Sequence, residues 1–256
     1  MTGEKHKSEL LDAIQKGLLA GAAVAALLIP PASIGARMPQ QAARTGEPLA
    51  PDFGVSTPTD DVRTLAAWTL AAGDARGKSF IIVDKKDARV WVFAPDGRLK
   101  ADAPALVGSA IGDDSVPGIG DKPIPEVLPE ERTTPAGRFV AEMGMDTRNE
   151  DVVWVSYELA VSMHRVLTSN PTEHRLERLA TPTPADNRIS WGCINLPKEF
   201  YEQVVAPTVR TTGAIIYVLP ETRPMQQVFN MHGADTPVQM AQQAGQRAPR
   251  AGRGNE

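Results

Sequence analysis

Residues 80–93, FIIVDKKDARVWVF, decide the fold class of this chain. Two β-branched and aromatic runs, at 80–83 and 90–93, enclose a short polar segment, and Asp96-Gly97 follows closely. Runs of this composition favour strands, and Asp-Gly is a strong signal for a hairpin turn. The segment therefore predicts antiparallel strands rather than a helix.

Short apolar runs of the same kind recur along the chain. The further strand candidates are 105–108, 137–143, 152–157, 159–164, 188–190 and 213–219. Because Gly and Pro separate these runs, we expect a mainly β fold, a sandwich or barrel-like core with one or a few short helices. The helix candidates are 60–73, which Thr59 can cap, and 197–206, which Pro207 is expected to end.

The two ends of the chain are predicted to lie outside this core. Residues 17–29, GLLAGAAVAALLI, are shorter than the roughly 20 residues of a spanning helix and resemble the apolar part of a signal peptide. We expect residues 1–36 to be a signal peptide or an uncleaved N-terminal anchor, with a buried helix as the alternative. Residues 37–78 are expected to form a linker with a short helix, and 221–256 a disordered tail.

Composition and charge limit the function classes. The chain has 256 residues, enough for one sizeable domain or two small ones. A net charge of −4 and an aromatic content of 5% disfavour a nucleic-acid surface, so no nucleic-acid partner is expected. The single cysteine excludes an intramolecular disulfide and disfavours a Cys-rich zinc site, so no metal is expected.

Two apparent ligand motifs do not have the pattern that their chemistry requires. Gly77-Lys78-Ser79 follows a helix and opens a strand, which is the reverse of a phosphate-binding loop. The acidic residues Asp113, Asp114 and Asp121 lack calcium-loop spacing. They are interpreted as part of a turn-rich loop.

The single cysteine lies in residues 187–195, NRISWGCIN. Gly192 allows the backbone to approach a ligand closely, and the N–H groups of Trp191, Gly192 and Cys193 can converge on an oxyanion. A lone cysteine is also commonly an inert, buried hydrophobe. The residues alone leave both interpretations of Cys193 open.

A nucleophilic thiol needs a nearby base. The chain has four histidines, of which His6 and His232 lie in segments predicted outside the core. His164 ends a predicted strand, whereas His174 lies in a polar stretch that is typical of a solvated helix surface. The candidates for the base are therefore His164 and His174.

Residues 190–195, SWGCIN, resemble the S-H-G-C-(I/V/L)-(R/N) signature of the L,D-transpeptidase catalytic domain, also called the YkuD-type domain. Residues 133–139, TTPAGRF, are similar to the family's T-P-x-G-x-F segment, and the hairpin of 82–97 is similar to its opening hairpin. The three segments occur in the family's order. The resemblance covers about residues 79–220 and implies an L,D-transpeptidase-like, mainly β catalytic domain.

The resemblance also implies a reaction and a place. Cys193 is expected to attack the carbonyl between the L-centre of diaminopimelate and D-Ala in a peptidoglycan stem tetrapeptide, releasing D-Ala and leaving a thioacyl-enzyme. An amine from a second stem then forms a 3→3 crosslink, whereas some members attach a lipoprotein, exchange D-amino acids or hydrolyse. The implied partners are peptidoglycan stem peptides and, in some members, a cell-envelope lipoprotein. The implied place is the periplasm or cell wall, and no cofactor is implied.

The family's base ends a strand, which favours His164. Cys193 follows His164 by 29 positions and His174 by 19, and the shorter distance is nearer the family's usual spacing. With His164 as the base, residues 166–186 are an insertion that forms a lid or wall. An imidazole beside the thiol is expected to lower the thiol's pKa or to take its proton.

The remaining site candidates follow from the same match. Ser190 and Asn195 are expected to orient the loop by hydrogen bonds, and Trp191 stands where many members have His and is expected to wall the donor stem or to pack. Arg165 and Arg188 are expected to pair with a substrate carboxylate or to form structural ion pairs. The changes at Trp191 and Arg165 keep two alternatives open, a non-catalytic peptidoglycan-binding module and a hydrolase.

Overall fold

The computed structural model describes residues 50–231 and confirms a mainly β fold with short helices. The strands are β1 Ser79–Asp84, β2 Arg89–Phe93, β3 Leu99–Pro104, β4 Val107–Gly108, β5 Gly137–Val140, β6 Glu142–Met145, β7 Asp151–Ser156, β8 Val161–Arg165, β9 Arg188–Ser190, β10 Ile194–Leu196 and β11 Ala214–Val218. The α-helices are α1 Asp60–Ala72, α2 Arg175–Ala180, α3 Lys198–Phe200, α4 Ala206–Thr212 and α5 Met225–Val228. Single 3-10 turns lie at Ile119–Asp121, Ile124–Glu126, Pro129–Glu131, Pro171–Glu173 and Pro184–Asn187.

Two open sheets form the core. Sheet A has the order β3-β2-β1-β11-β5, and sheet B has the order β10-β8-β7-β6. The strands β4 and β9 form a third, two-stranded parallel sheet. No sheet within residues 50–231 closes into a barrel, and the two sheets enclose a common core as in a sandwich.

Strand β1 is buried along its whole length because both faces of sheet A are covered. Ile81 and Val83 pack into the core between the two sheets. Phe80 and Ile82, which alternate with them, pack into a second core that includes residues of α1. This two-sided burial explains why the run at 80–83 is continuously apolar instead of alternating with polar residues.

Helix α1 forms as predicted and belongs to that second core. Thr59 accepts a hydrogen bond from the Val62 N–H at 3.3 Å, and Gly73, with φ of 62°, ends the helix. The buried face of α1 includes Val62 and Leu65. Burial of such side chains is worth about 1.5–3 kcal/mol each. The packing of sheet A therefore extends upstream of the predicted 79–220 region.

The packing of sheet A also extends downstream of residue 220. Met225 of helix α5 is buried in the second core together with Phe229 and Met231. The predicted tail begins at Glu221, but residues 221–231 are part of the fold. The disorder predicted for the rest of the tail, like the apolar run at 17–29, lies outside the described residues. Between residues 50 and 231 no helix is long and apolar enough to cross a bilayer.

The second predicted helix continues beyond its expected end at Pro207. A π-helical turn, Tyr201–Val205, joins α3 to α4, and the Ala206 N–H bonds to the Tyr201 carbonyl. Proline lacks the N–H that an α-helix needs and clashes with the preceding turn. The wider π turn directly before Pro207 places it in the first turn of α4, where proline is tolerated.

Candidate active site

The register of sheet B places the cysteine and a histidine on the same face. Strand β10 runs parallel to β8, with Ile194 opposite Met163 and Asn195 opposite His164. Met163 and Ile194 point into the core between the sheets. Because successive side chains alternate, Cys193, Asn195 and His164 point to the other face of sheet B. We call this face of sheet B the site face.

Cys193 is half-buried and has two polar neighbours besides the histidine. Its Sγ lies 3.7 Å from Ser162 Oγ and 3.6 Å from the Ala160 carbonyl oxygen. Burial raises the pKa of the Cys193 thiol, but the influence of His164 and the contacts of Ser162 outweigh that effect. The pKa of Cys193 is therefore held below its ordinary value, as a nucleophilic thiol requires.

The hydrogen bonding of His164 fixes which ring nitrogen faces the chemistry. Its Nδ1 lies 2.7 Å from the Arg165 carbonyl oxygen, which can only accept a hydrogen bond. Nδ1 therefore carries the proton in the neutral ring, and Nε2 is left to take a proton from Cys193. This is the arrangement of a base that is oriented by a third group.

His174 does not share this position. It caps α2 from an exposed site, and its Nδ1 lies 2.8 Å from the Glu177 carboxylate. Of the two candidate bases, only His164 contributes to the lowered pKa of Cys193. The shorter spacing in the sequence therefore does not correspond to proximity in the fold.

Hydrogen bonds inside the cysteine loop change the predicted oxyanion donors. Ser190 Oγ donates to the Cys193 carbonyl at 2.5 Å and accepts the Gly192 N–H at 3.1 Å. The Gly192 N–H is thus occupied, contrary to the expectation that three N–H groups converge. The N–H groups of Trp191 and Cys193 have no hydrogen-bond acceptor among residues 50–231 and remain the candidate donors.

The TTPAGRF segment braces the cysteine loop. Thr134 Oγ1 donates to the Gly192 carbonyl at 2.8 Å and accepts the Gly108 N–H at 2.9 Å. Gly192 has a φ of 126°, and a Cβ there would lie 2.8 Å from the Thr133 carbonyl oxygen. Only glycine combines this backbone conformation with this close approach. Two segments that are far apart in the sequence are therefore packed backbone to backbone at the nucleophile.

Replacing Gly192 by alanine should therefore displace the loop. We expect Gly192→Ala to lower the free energy of unfolding by about 1–3 kcal/mol, because it adds a steric clash at a strained φ. Acylation of Cys193 should fall with it, since the thiol loses its place beside His164. Urea unfolding and acylation rates measured on the same sample check both expectations. A variant with unchanged stability and an unchanged acylation rate would contradict the role of this close packing at Gly192.

Asn195 connects the cysteine loop to the segment expected to be an insertion. Its Nδ2 donates to the Cys193 carbonyl at 3.4 Å, and its Oδ1 accepts from Arg175 Nη1 at 2.6 Å. Arg175 in turn pairs with Glu173 at 2.5 Å. Sequence reasoning missed Arg175, which lies in a stretch that resembles a solvated surface but carries a largely buried side chain. Arg175 thus joins the segment 166–186 to Asn195 beside the cysteine.

Arg165 does not lie with the other site candidates. Its side chain alternates with that of His164 along β8 and points away from the site face. There it pairs with Glu202 at 2.7 Å and Asp151 at 2.9 Å, with its guanidinium 4.6 Å from the centre of the Tyr201 ring. Of the two roles expected for Arg165, its position fits a structural ion pair and not a contact with the substrate.

Arg188 is also held by structural partners. It forms an ion pair with Glu221 and donates to the carbonyl oxygens of Lys85 at 3.2 Å and Gly108 at 3.4 Å. These bonds tie strand β9, which leads into the cysteine loop, to the chain beyond β11. Arg188 therefore has a structural role, in which it stabilises the strand that leads into the cysteine loop.

A buried lysine that the sequence did not single out joins the family-like segments. Lys85, directly after β1, is 1% exposed, and its Nζ donates to the carbonyl oxygens of Gly112 at 2.6 Å and Thr134 at 2.9 Å. It also forms ion pairs with Asp113 at 3.0 Å and Glu221 at 3.3 Å. Since Thr134 holds the Gly192 carbonyl, Lys85 connects the opening hairpin to the cysteine loop.

Asp113, expected to be part of a turn-rich loop, is the buried centre of this network. Its carboxylate accepts the backbone N–H groups of Glu221 at 2.7 Å, Thr222 at 2.8 Å and Arg223 at 2.9 Å. Burial raises the pKa of Asp113, but the hydrogen bonds from Thr222, Glu221 and Lys85 outweigh it and hold that pKa far below its ordinary value. Asp113 thus anchors the turn after β11.

Trp191 lies at the surface of the cysteine loop and is 39% exposed. The Arg132 guanidinium stacks 3.8 Å from the centre of its ring, close enough for a cation–π interaction. The ring is therefore held against a neighbouring segment instead of being buried in the core. This position suits a wall beside the thiol.

Comparison with known proteins gives a likeness of fold. No protein-family model and no curated protein matches the chain. The structure is similar to the catalytic domain of an L,D-transpeptidase from Enterococcus faecium, with 14% identity, a TM-score of 0.33 and coverage of 56% of this chain and 98% of that domain. It is also similar to an L,D-transpeptidase from Mycobacterium smegmatis, with 19% identity, a TM-score of 0.32 and coverage of 56% of this chain and 58% of the other.

A third similar structure is the helical cell shape determining protein Pgp2 from Campylobacter jejuni, with 15% identity and a TM-score of 0.37. The match covers 65% of this chain and 58% of Pgp2. This chain thus spans less than two thirds of two of the three structures. At these identities the likeness is one of fold alone, and any role of Cys193 and His164 has to be argued from their own contacts.

Proposed function

We propose that this chain is a cysteine acyltransferase that acts on peptidoglycan stem peptides. One observation carries the proposal: Cys193, with its lowered pKa, shares a sheet face with His164, whose Nδ1 is oriented by the Arg165 carbonyl. A satisfied core cysteine would have no need of such a partner. The substrate class is supported by the three family-like segments of the sequence.

In the first half-reaction the Cys193 thiolate attacks the carbonyl carbon between diaminopimelate and D-Ala. The N–H groups of Trp191 and Cys193 stabilise the oxyanion. The C–N bond breaks, and D-Ala leaves with a proton from His164 Nε2. The product is a thioacyl-enzyme, and the half-reaction uses only this chain's own groups.

In the second half-reaction an acceptor attacks the thioester and Cys193 leaves as the thiolate. An amine of a second stem gives a 3→3 crosslink, and an amine of a protein gives an attached protein. Water gives hydrolysis, which uses the same intermediate. A periplasmic or cell-envelope location fits this substrate. The apolar run at 17–29 supports export, with residues 1–36 acting as a signal peptide or anchor.

The test is the intact mass of the full chain after incubation with a stem tetrapeptide. We expect a covalent adduct whose mass equals the donor minus D-Ala, and we expect no adduct with Cys193→Ala, which removes only a half-buried sulfur. Circular dichroism confirms that the variant is folded. An adduct that persists in Cys193→Ala would falsify the nucleophile assignment, and a folded wild type without adduct would favour the non-catalytic binding module.

A further inference from the structure

A serine that the sequence did not single out contacts the candidate nucleophile. Ser162 lies two residues before His164 on β8, so both side chains point to the site face. Its Oγ lies 3.7 Å from Cys193 Sγ, and either atom can be the hydrogen-bond donor. The Ser162 hydroxyl is therefore within hydrogen-bonding distance of the reacting sulfur.

The hydroxyl of Ser162 has no other partner in the part of the chain that the structure describes. Ser162 is 5% exposed, and within residues 50–231 its Oγ bonds to Cys193 Sγ alone. A buried hydroxyl lowers stability unless it is hydrogen-bonded, and a neutral thiol is a weak partner. Beside a thiol that stayed neutral, this hydroxyl would therefore be poorly satisfied.

The second polar neighbour of the sulfur cannot stabilise a thiolate. The Ala160 carbonyl oxygen lies 3.6 Å from Cys193 Sγ and can only accept a hydrogen bond. It can accept the S–H of the neutral thiol, but it offers no donor to the thiolate. A serine hydroxyl both accepts and donates. Of these two neighbours, it is Ser162 that can donate to a negatively charged sulfur.

We propose that Ser162 is a further catalytic residue, whose hydroxyl donates a hydrogen bond to the Cys193 thiolate; this rests on the proposed function and deepens it. When the thiol proton passes to His164 Nε2, the S–H bond breaks and its electron pair stays on sulfur. The Ser162 hydroxyl turns toward the sulfur and keeps its own proton. The sulfur then uses the electron pair to form the S–C bond to the stem. In the second half-reaction the same hydrogen bond stabilises the departing thiolate.

The charged groups around the cysteine are separate from this hydroxyl. His164 on β8 is the titratable residue that acts on the Cys193 thiol. Arg132 stacks on the indole ring two positions before the cysteine, and Arg175 donates to the amide two positions after it. Glu158 lies in the turn between β7 and β8. Replacing the serine leaves all four groups in the chain, so a change in the pH profile of Cys193 reports the hydroxyl.

Alkylation by iodoacetamide tests the hydrogen bond without substrate, and Cys193 is the single cysteine that can react. In full-length Ser162→Ala the midpoint of the pH profile should move to higher pH, because the thiolate loses a donor. Below both midpoints alkylation should be about threefold slower than in the wild type, since the lost hydrogen bond is partly offset by a more nucleophilic thiolate. Above both midpoints it should be about threefold faster, so that the two profiles cross.

A purely structural role of Ser162 predicts a different result. Loss of positioning would lower the alkylation rate by the same factor at every pH, and coincident profiles would mean that the hydroxyl does not reach the thiolate. Either outcome overturns the proposal. Ser79→Ala is the matched control, because it removes the hydroxyl of another buried strand residue, which bonds to Thr212 in place of the cysteine. Its alkylation profile should coincide with that of the wild type.

A pair of variants with nearly the same shape keeps the test conclusive if Ser162→Ala does not fold. Ser162→Thr retains a hydroxyl and Ser162→Val replaces it by a methyl group, and both side chains suit a strand. We expect the threonine variant to keep the wild-type midpoint and the valine variant to have a higher one. Equal midpoints in the two variants would overturn the proposal.

Acylation by the tetrapeptide separates this proposal from the proposed function. Because Ser162 is buried and contacts the sulfur, the maximal acylation rate of Ser162→Ala below both midpoints should fall about threefold, with the tetrapeptide concentration at half-maximal rate unchanged. If the wild type forms no acyl-enzyme, the proposed function fails, whereas the alkylation profiles still report the hydrogen bond. If both proteins are acylated at equal maximal rates, only the catalytic role of Ser162 is overturned.

Discussion

Replacing His164 by glutamine should slow the acylation of Cys193 by about 10²–10⁴-fold, the range that a positioned base supplies. His164 acts on the thiol in two ways, through proton transfer at Nε2 and through its lowering of the thiol pKa. Once His164 is replaced, the largest single influence on the pKa of Cys193 is burial, which raises it. The pKa of the thiol should therefore be higher in the variant than in the wild type.

The expected upward shift in the pKa of Cys193 can be measured without any substrate. Alkylation of Cys193 by iodoacetamide reports the thiolate fraction, so the wild type should react at a lower pH than an ordinary thiol. In His164→Gln the midpoint of the pH profile should move upward. Acylation by the tetrapeptide is followed by intact mass over the same pH range.

His174→Gln is the matched control, because it makes the same change at the exposed histidine beside Glu177. We expect its acylation rate and alkylation profile to match those of the wild type. Loss of acylation in His174→Gln together with retention in His164→Gln would reverse the assignment of the base.

The predictable part of the fold is the part that local chemistry determines. The hairpin signal at Asp96-Gly97 and the runs at 80–83 and 90–93 were sufficient to predict two strands. The third strand, Leu99–Pro104, was missed because its sequence, LKADAP, is only partly buried and lacks β-branched residues. Ile194–Leu196 was missed because three residues are too few for a period of two to be visible.

The candidate site, like the fold, could be predicted only in part from the sequence. The sequence marks Cys193 and His164, because one lies in a distinctive loop and the other ends a strand. It does not reveal that the Gly192 N–H is already bonded or that Arg175 reaches Asn195, because both depend on side-chain orientations in the folded state. Arg165 shows the limit of a motif match. It directly follows His164 in the sequence, but neighbouring residues of a strand point to opposite faces of the sheet.

The buried network around Lys85 is the least predictable feature, since its members lie far apart in the chain. Lys85 and Asp113 are separated by 28 positions and are both fully buried. The adjacent Lys86 pairs with Asp61, and both side chains are about half exposed. The sequence offers no distinction between two consecutive lysines, whereas the fold gives them opposite environments.

Lys85→Met should lower the free energy of unfolding by about 3–5 kcal/mol, because it removes the close cation of the buried Asp113 carboxylate, whereas Glu221 keeps its ion pair with Arg188. Acylation should fall as well, since Lys85 holds the Thr134 carbonyl and Thr134 holds Gly192. Lys86→Met is the matched control and should cost less than about 1 kcal/mol. Urea unfolding at pH 7 measures both variants, and equal losses would contradict the buried network.

The pH dependence of the wild type follows from the same network. The folded-state pKa of Asp113 is depressed, so its contribution to stability is complete above the unfolded-state value of about 4 and is lost as the pH falls toward the folded-state value. Asp113→Asn removes this titration. We therefore expect the wild type to lose stability between pH 5 and pH 2 more steeply than Asp113→Asn, as measured by urea unfolding across that range. Parallel curves would mean that Asp113 has the same pKa in the folded and unfolded proteins, and the buried network would then not favour its ionised form.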